Sequence, residues 1–365
     1  MGVIFKTYVL PLLGGGGLVA IIVALIGRKR EPKEPKPPKP KKITYNYRQA
    51  MVYEEHLNYP KALEWYIKSV EDYKPDTLDR AKALSRAGEM HWKLANYNEA
   101  LACFYEAQAI YQVAKNKKSQ RELAAVYNNI ALVYDHQGDY DRALEWYFNA
   151  LDSCEKIFGS RHPNTAIAKI YNNIALVYNY KYKCDKALEW HFKALVIEEK
   201  VLGKEHPITA VTYNNIARVY DNQGEYDKAL EWFSKALIIY VVALGQEHPS
   251  TAAVYNNIAN VYGAQGEYDN ALVWHSKALA VREKVLGKGH PSTAQSYNNI
   301  SVVYFEQGEH EKALTYFLKA YRMTLDKLGT DHPETQKYLN NMCECYEKIS
   351  VTEPFEDWLA SQLSP

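Results

Sequence analysis

Residues 206–236 read HPITAVTYNNIARVYDNQGEYDKALEWFSKA, and this stretch decides the fold. Pro207 suits the first turn of a helix, and apolar residues recur at helical spacing from Tyr213 onward. Gly224 then interrupts the pattern, and glycine is the residue that most readily takes the left-handed conformation of a tight turn. A second apolar pattern of helical spacing begins at Ala229. The stretch therefore predicts two helices joined by a short turn.

This helix pair recurs along the chain. Three signatures return together, with steps of 44, 42, 42 and 42 residues between the Tyr-Asn-Asn motifs. A fixed period in this range is typical of a solenoid, because one helix pair cannot bury its apolar faces without neighbours. The recurring residues are Tyr127, Tyr171, Tyr213, Tyr255 and Tyr297 of Tyr-Asn-Asn; His162, His206, His248, His290 and His332 of His-Pro; and Trp146, Trp190, Trp232 and Trp274.

The spacing of Ala217, Tyr220, Ala229 and Ala236 resembles the tetratricopeptide repeat, in which these are structural positions. The period of 42 residues, where the common repeat has about 34, is similar to the subclass found in kinesin light chains. The resemblance implies an all-α fold: a right-handed superhelical solenoid of helix-turn-helix repeats. We expect about seven repeats and a C-terminal capping helix.

The strength of the pattern divides the chain into parts. Degenerate repeats are predicted over residues 43–120, and regular 42-residue repeats over 121–334. A partial repeat and the capping helix are predicted over 335–365. One regular repeat departs from the pattern, because Tyr182 stands where the others have glycine. A left-handed turn there would cost about 1 kcal/mol, so we expect this turn to be rearranged.

The N-terminal 42 residues differ from the array in charge. They carry nine Lys and Arg against two acids, a net charge of +7, which leaves −6 on the remainder. Residues 7–27 are uncharged and long enough to span a bilayer as one helix. Residues 28–42 alternate proline and lysine, which predicts an extended linker. Because most cations follow the apolar segment, the array is expected on the cytoplasmic side.

A membrane anchor over residues 7–27 has a buried helix as one alternative and a cleaved secretory signal as its main rival. The rival is disfavoured because Arg28 follows the apolar segment directly, without a small-residue cleavage site. The sequence therefore predicts a single-pass membrane protein with one transmembrane helix before the repeats.

The asparagine pairs are the strongest candidates for a binding site. Asparagine is a mediocre helix former, so repeated pairs inside helices need a compensating role. By the resemblance, the first helix of each repeat lines a concave groove where amides can clasp the backbone of a bound peptide. The alternative is that the amides bond neighbouring helices, which we favour for the second asparagine of each pair. The predicted groove residues are Asn128, Asn172, Asn214, Asn256, Asn298, Arg218, Asn260 and Asp221.

The sequence contains no motif that is typical of metal binding or catalysis. The His-Pro motifs recur about one helix pair apart, too far for several histidines to converge on one metal ion, so we expect a structural role at the repeat junction. The sequence has no Walker loop, no nucleophile elbow and no dinucleotide fingerprint. The five scattered cysteines predict neither a zinc ribbon nor a disulfide framework. We therefore expect no enzyme, no cofactor, no metal, no small-molecule substrate and no nucleic-acid partner.

These observations predict a membrane-tethered scaffold or adaptor that binds a partner protein or an extended peptide in its concave groove. The alternative is a permanent structural or assembly subunit of a membrane protein complex. Exposed aromatic patches would favour the alternative, because obligate interfaces are large and apolar.

Overall fold

The computed structural model describes residues 7–11, 18–22, 43–114, 116–159, 164–349 and 352–363. This part of the chain contains sixteen α-helices and two short strands. The first eight helices are α1 (Tyr45–Glu55), α2 (Tyr59–Glu71), α3 (Leu78–Lys93), α4 (Tyr97–Val113), α5 (Lys117–His136), α6 (Tyr140–Phe158), α7 (Thr165–Tyr180) and α8 (Cys184–Val201). The others are α9 (Pro207–Asn222), α10 (Tyr226–Leu244), α11 (Pro249–Ala264), α12 (Tyr268–Val285), α13 (Pro291–Glu306), α14 (His310–Leu328), α15 (Pro333–Glu347) and α16 (Phe355–Leu363).

Odd-numbered helices from α1 to α15 are the A helices of the repeats, and even-numbered helices from α2 to α14 are the B helices. Each A helix packs on the B helix that follows it, which gives the seven predicted pairs. The chain divides into two compact units, one of residues 27–201 and one of residues 1–26 with 202–365. Within each unit, successive pairs stack through B-to-A contacts such as α2 on α3 and α10 on α11. The handedness of the whole array stays a prediction.

Small residues bring the paired helices together. Ala217, Ala229 and Ala236 have no exposed surface, and neither does the ring of Phe233. Tyr220 is half-buried at the end of its A helix. Because alanine lets two helices approach closely, the aromatic side chains fill the remaining space at native density. The structural roles predicted for these positions agree with their burial.

The degenerate repeats have the same architecture. Helices α1 to α4 form two pairs, and Ala62, Ala100 and Ala107 are fully buried at the expected alanine positions. The weak sequence pattern over residues 43–120 therefore reflects changed surface residues around a retained core.

The expected rearrangement around Tyr182 is wrong. Tyr182 has φ of +54°, the same left-handed conformation that Gly224 takes with φ of +74°. The backbone hydrogen bonds also match, since Tyr182 N donates to Asn179 O as Gly224 N donates to Asp221 O. The packing of the helix pair therefore determines the turn conformation, and Tyr182 adopts a left-handed φ at a cost in conformational free energy.

The C-terminal end contains a partial repeat and a cap, as predicted. Helix α15 has no B helix after it, and α16 covers its exposed face. Phe355 and Trp358 pack on Tyr346 with ring centroids 5.4 and 5.0 Å away. The short α16 therefore replaces the helix pair that would otherwise have followed.

The predicted transmembrane helix over residues 7–27 is not confirmed. Residues Thr7–Pro11 form strand β1 and Leu18–Ile22 form strand β2, which pair antiparallel with Thr7 opposite Ile22. Valine and isoleucine favour strands, and proline disfavours a helix interior, so the composition of these stretches suits this pairing. None of the helices in the described residues is long and apolar enough to cross a membrane. The predicted linker over 28–42 lies outside the described residues.

Candidate functional site

The asparagine pairs of successive A helices bond to one another. Asn257 Nδ2 donates to Asn214 Oδ1 at 2.9 Å, and Asn299 Nδ2 donates to Asn256 Oδ1 at 2.7 Å. The same bond joins Asn341 Nδ2 to Asn298 Oδ1 at 3.0 Å and Asn173 Nδ2 to Asn128 Oδ1 at 3.0 Å. We call this set the asparagine ladder, and the side of the A helices that carries it the asparagine face. In these four pairs the second asparagine has the structural role that was expected for it.

The first asparagine of each ladder bond uses only half of its amide. Its Oδ1 accepts from the next repeat, whereas no residue that the structure describes accepts a hydrogen bond from Nδ2 of Asn128, Asn214, Asn256 or Asn298. Because the ladder fixes Oδ1, it also fixes the direction of the two N–H groups on Nδ2. The face therefore presents three oriented donors in one unit, from Asn214, Asn256 and Asn298, and one in the other, from Asn128. Whether a peptide uses them stays a prediction.

Asn172 is held differently. Its Nδ2 donates to Glu198 Oε1 at 3.0 Å, and its Oδ1 lies 2.7 Å from Nδ1 of the buried His191. Both ends of this amide are engaged with helix α8. A ligand would have to displace one of these bonds, so Asn172 is a weaker donor site than the other predicted asparagines.

The remaining predicted groove residues lie on helices α9 and α11. Arg218 and Asp221 are half-buried, whereas Asn260 is exposed. Burial raises the pKa of Asp221, and the nearby charge of Arg218 opposes that effect. The two residues are three apart on α9, a spacing that places their opposite charges on one face of the helix. Among the described residues neither side chain makes a hydrogen bond that a polar ligand group would have to break.

One groove carboxylate was missed as a candidate. Asp135 lies on α5 one turn beyond Leu132, at the position that Asp221 occupies on α9. Burial raises the pKa of Asp135 to about 6. The sequence places this acid on the groove wall, but its burial is visible only in the structure.

The His-Pro motifs start the A helices. In each of four motifs the histidine is the N-cap, and its Nδ1 accepts from a backbone N–H two residues later at 3.1 to 3.2 Å. Proline occupies the first turn, where its missing N–H is harmless. In the described residues no group of histidine, cysteine and acids could hold a metal ion. The capping residues are His206, His248, His290 and His332, and His162 lies outside the described residues.

Each tryptophan of the series packs on the tyrosine of its own repeat, and Trp146 and Trp190 also contact a ring of the preceding repeat. Trp146 lies 5.4 Å from the Tyr127 ring, and Trp274 lies 5.5 Å from Tyr255. The rings are half-buried, so they form no exposed aromatic ridge in the described residues. A lysine one turn later covers the outer ring face in several repeats, such as Lys277 Nζ at 4.0 Å from Trp274.

Helix α12 buries two polar side chains that sequence analysis did not single out. His275 is 2% exposed, and its Nδ1 has no hydrogen-bond partner among the described residues. Arg282 is 8% exposed, and its Nη1 donates to Ser292 O and to Ser296 Oγ. The comparable positions of helix α10 hold Phe233 and Tyr240. The sequence signal was a polar residue at two positions where helix α10 has an aromatic one.

Comparison with known proteins agrees with this architecture. A family profile described as tetratricopeptide repeat matches residues 166–240 and 250–326, and a second profile of that description matches 123–164. Together they span more than half of the chain. A search of curated proteins finds no match.

Solved structures share the fold at low identity. BtubC (BKLC) from P. vanneervenii is 24% identical with a TM-score of 0.51, covering 70% of this chain and 94% of that one. The apo form of RapI is 17% identical with a TM-score of 0.59, covering 81% and 98%.

The paired helices, the buried alanines and the ladder define the class, which is that of all-helical repeat proteins. With the matching profiles, the family is also clear. The chain belongs to the tetratricopeptide repeat family.

Proposed function

We propose that the protein is an interaction scaffold that binds a partner protein, or an extended peptide segment of it, along the asparagine face. This face is the concave groove of the predicted superhelix. The asparagine ladder is the observation that carries the proposal. It fixes the Nδ2 donors of Asn214, Asn256 and Asn298 in one unit and of Asn128 in the other, and no described residue uses them.

The spacing of the donors suits an extended chain. Packed helices lie about 10 Å apart, which corresponds to about three residues of extended backbone. Each oriented N–H group can therefore meet a backbone carbonyl at regular intervals, whatever the ligand's sequence. Because the ladder already fixes the donors, the ligand does not have to order them on binding.

Selectivity would come from the residues beside the ladder. Arg218 can pair with an acidic side chain, and the neighbouring Asp221 limits how many negative charges the site accepts. In the other unit, Leu132 and Leu176 occupy the position of Arg218 and are more than nine-tenths buried. The two units therefore differ in the side chains that they favour.

The test compares two double variants of the full-length chain. Asn214→Ala with Asn256→Ala removes two donors and two ladder bonds. Asn257→Ala with Asn299→Ala removes the same two bonds but keeps the donors. The protein is purified in mild detergent, and co-purifying chains are identified by mass spectrometry.

The proposal expects the first double variant to lose its partners and the second to keep them, with similar melting temperatures for both. Equal retention of partners in both variants would contradict it. So would equal loss in both, because that result would mean that the ladder acts only through stability.

We also propose that residues 7–27 tether the array to a membrane, with the repeats on the cytoplasmic side. The support is the uncharged composition of this segment and the cations that follow it. Deletion of residues 7–27 should release the protein from membranes that are washed at alkaline pH. A cysteine introduced by Ser364→Cys should react with a membrane-impermeant thiol reagent only after permeabilisation. Labelling in intact cells would reverse the orientation.

One observation favours the alternative of a permanent complex subunit. On helix α10, Ile238 is 65% exposed and Val242 is 83% exposed. The corresponding positions of α12 hold Ala280 and Lys284, so this B helix alone pairs two large apolar residues there. An obligate neighbour would cover such a surface. Stoichiometric partners that resist high salt and are lost on Val242→Lys would support the alternative.

A further inference from the structure

Helix α1 and the residue before it expose apolar side chains on a face that later A helices bury. Ile43, Tyr45 and Val52 are 42%, 68% and 46% exposed. Equivalent positions are found by counting back from the left-handed residue that follows each A helix, and they are buried in every A helix from α3 to α13. In α3, for example, Ala83 and Met90 stand at the positions of Tyr45 and Val52 and have no exposed surface.

The missing neighbour of α1 explains this difference. Helix α3 packs on α2 of the repeat before it, whereas α1 is the first helix of the part of the chain that the structure describes. A solenoid buries the apolar face of each repeat against the next one. We call Ile43, Tyr45 and Val52 the stacking face of α1, because a preceding helix pair would pack there.

The other end of the array offers no surface to complete this face. The last B helix, α14, already packs on α15, and α16 covers α15. A second copy placed head to tail would therefore present no free B helix to α1. Two copies can instead bring their stacking faces together across a two-fold axis, which gives a closed pair.

Charged residues beside the stacking face favour such a pair. Arg48 and Glu55 are exposed, and neither makes an ion pair with another residue that the structure describes. Arg48, Val52 and Glu55 follow one another at spacings of four and three residues, so they share one stripe of the helix. In two antiparallel α1 helices with the two-fold axis beside Val52, Arg48 of each copy lies opposite Glu55 of the other. The stripe is therefore complementary to itself in charge as well as in polarity.

We infer that the stacking face of α1 is a dimer interface, on which a second copy of this chain packs its own α1 in the antiparallel direction. The pair contains two asparagine faces, which strengthens binding to a partner that presents two segments. This inference goes beyond the proposed groove function and does not depend on it.

The test measures self-association of the full-length chain in mild detergent by sedimentation at a series of concentrations. An interface of one short helix per copy is small, so we expect dissociation in the micromolar range. Arg48→Glu and Glu55→Arg each place like charges opposite one another across the axis. Lys118→Glu is the matched control, because Lys118 is an exposed cation of α5, a helix with neighbours on both sides.

The inference expects the unaltered chain and Lys118→Glu to form dimers with the same affinity. Arg48→Glu alone and Glu55→Arg alone should each dimerise at least about tenfold more weakly, with unchanged helix content. An equimolar mixture of these two variants should recover dimerisation, because every pair across the axis then joins opposite charges. Association through residues 7–27 cannot produce this pattern, since all the proteins share that segment.

Two kinds of result would overturn the inference. One is a chain that stays monomeric at all concentrations, or a mixture of the two charge variants that associates no better than either variant alone. The other comes from a photoreactive amino acid at Val52: crosslinks to residues 28–42 of the same chain, or to a different protein, would assign the stacking face to that occupant.

Discussion

Tyr182 occupies a turn conformation that four other repeats assign to glycine. The left-handed turns hold Gly138, Gly224, Gly266 and Gly308, whereas Leu57, Ala95 and Tyr182 carry a side chain there. Tyr182 is 85% exposed, so its ring gains little from packing. We predict that Tyr182→Gly stabilises the chain by about 1 kcal/mol in urea unfolding.

The reverse change gives the control. Gly224→Ala should destabilise the chain by about 1 kcal/mol, because alanine is disfavoured at a φ of +74°. The added methyl group would meet no atom within 4 Å. The cost is then conformational and not steric. A Tyr182→Gly variant that is no more stable would mean that the ring makes a contact of equal value.

The burial of His275 lowers the stability of the folded chain by an amount that depends on pH. Burial first, and then the charge of Arg282, lower its pKa from 6.5 to about 4. Between these values the unfolded chain takes up a proton that the folded chain refuses, so the stability of the folded state falls as pH falls. We predict that His275→Phe, which copies Phe233, is more stable at pH 7 by about 1 kcal/mol.

The advantage of His275→Phe should widen by up to about 3 kcal/mol between pH 7 and pH 4. Thermal unfolding of both proteins across this range measures the difference, and the other titrating groups cancel. A constant gap would show that His275 titrates normally in the folded state.

The ring of Phe104 leaves no room for a side chain at Gly88 in helix α3. A methyl group added there would lie 2.7 Å from Phe104 Cε1, although helix propensity alone favours alanine by about 1 kcal/mol. We predict that Gly88→Ala nevertheless lowers the melting temperature, because the core must shift. Phe104→Leu should reduce this penalty in a double-mutant cycle. A Gly88→Ala variant that is more stable would show that the ring moves freely.

At the scale of the element, the A helices depend on neutral histidines. Nδ1 of His248 can accept the Ser250 N–H only while that nitrogen carries no proton. Burial lowers the pKa of His206 and of His248, so the caps persist at neutral pH and are lost as pH falls below the ordinary range of histidine. We predict that His248→Ala costs about 1 kcal/mol at pH 7.5.

The cost of His248→Ala should shrink towards zero at acidic pH, where the unaltered chain loses the same cap. His248→Asn, which keeps a side-chain acceptor, is the control and should stay within a few tenths of a kcal/mol of the unaltered chain at pH 7.5. A cost for His248→Ala that is independent of pH would mean that proline and not histidine starts the helix.

The local sequence pattern predicted the helices well wherever the same helix packing recurs from repeat to repeat. The period placed seven helix pairs and the terminal cap, because Ala217, Ala229 and their equivalents must be small wherever two helices meet. It failed at Tyr182, where the fold imposes a backbone conformation that propensity opposes. The helix predicted over residues 7–27 is not confirmed, because an uncharged stretch rich in valine and isoleucine does not distinguish helix from strand.

The candidate site was predicted only in part. The asparagines were found because they recur, and the second one of each pair was expected to be structural. In the first asparagine of a pair, Oδ1 accepts a hydrogen bond and Nδ2 has no partner. This difference depends on the geometry between repeats and cannot be read from the sequence.

At the scale of the whole molecule, two surfaces compete for the role of interface. The asparagine face carries oriented donors, and the outer surface of α10 carries Ile238 and Val242. The first suits an exchangeable extended peptide, and the second suits a permanent neighbour. The two interpretations differ in where the partner touches the chain.

Photo-crosslinking is the most direct measurement of the central claim. A photoreactive amino acid is placed at Asn260, which is exposed on the asparagine face, or at Val242 on the outer surface, and the full-length chain is irradiated in its native extract. Crosslinked partners are identified by mass spectrometry. The proposed function predicts crosslinks from position 260 that disappear when Asn214 and Asn256 become alanine. Crosslinks from position 242 alone would contradict it.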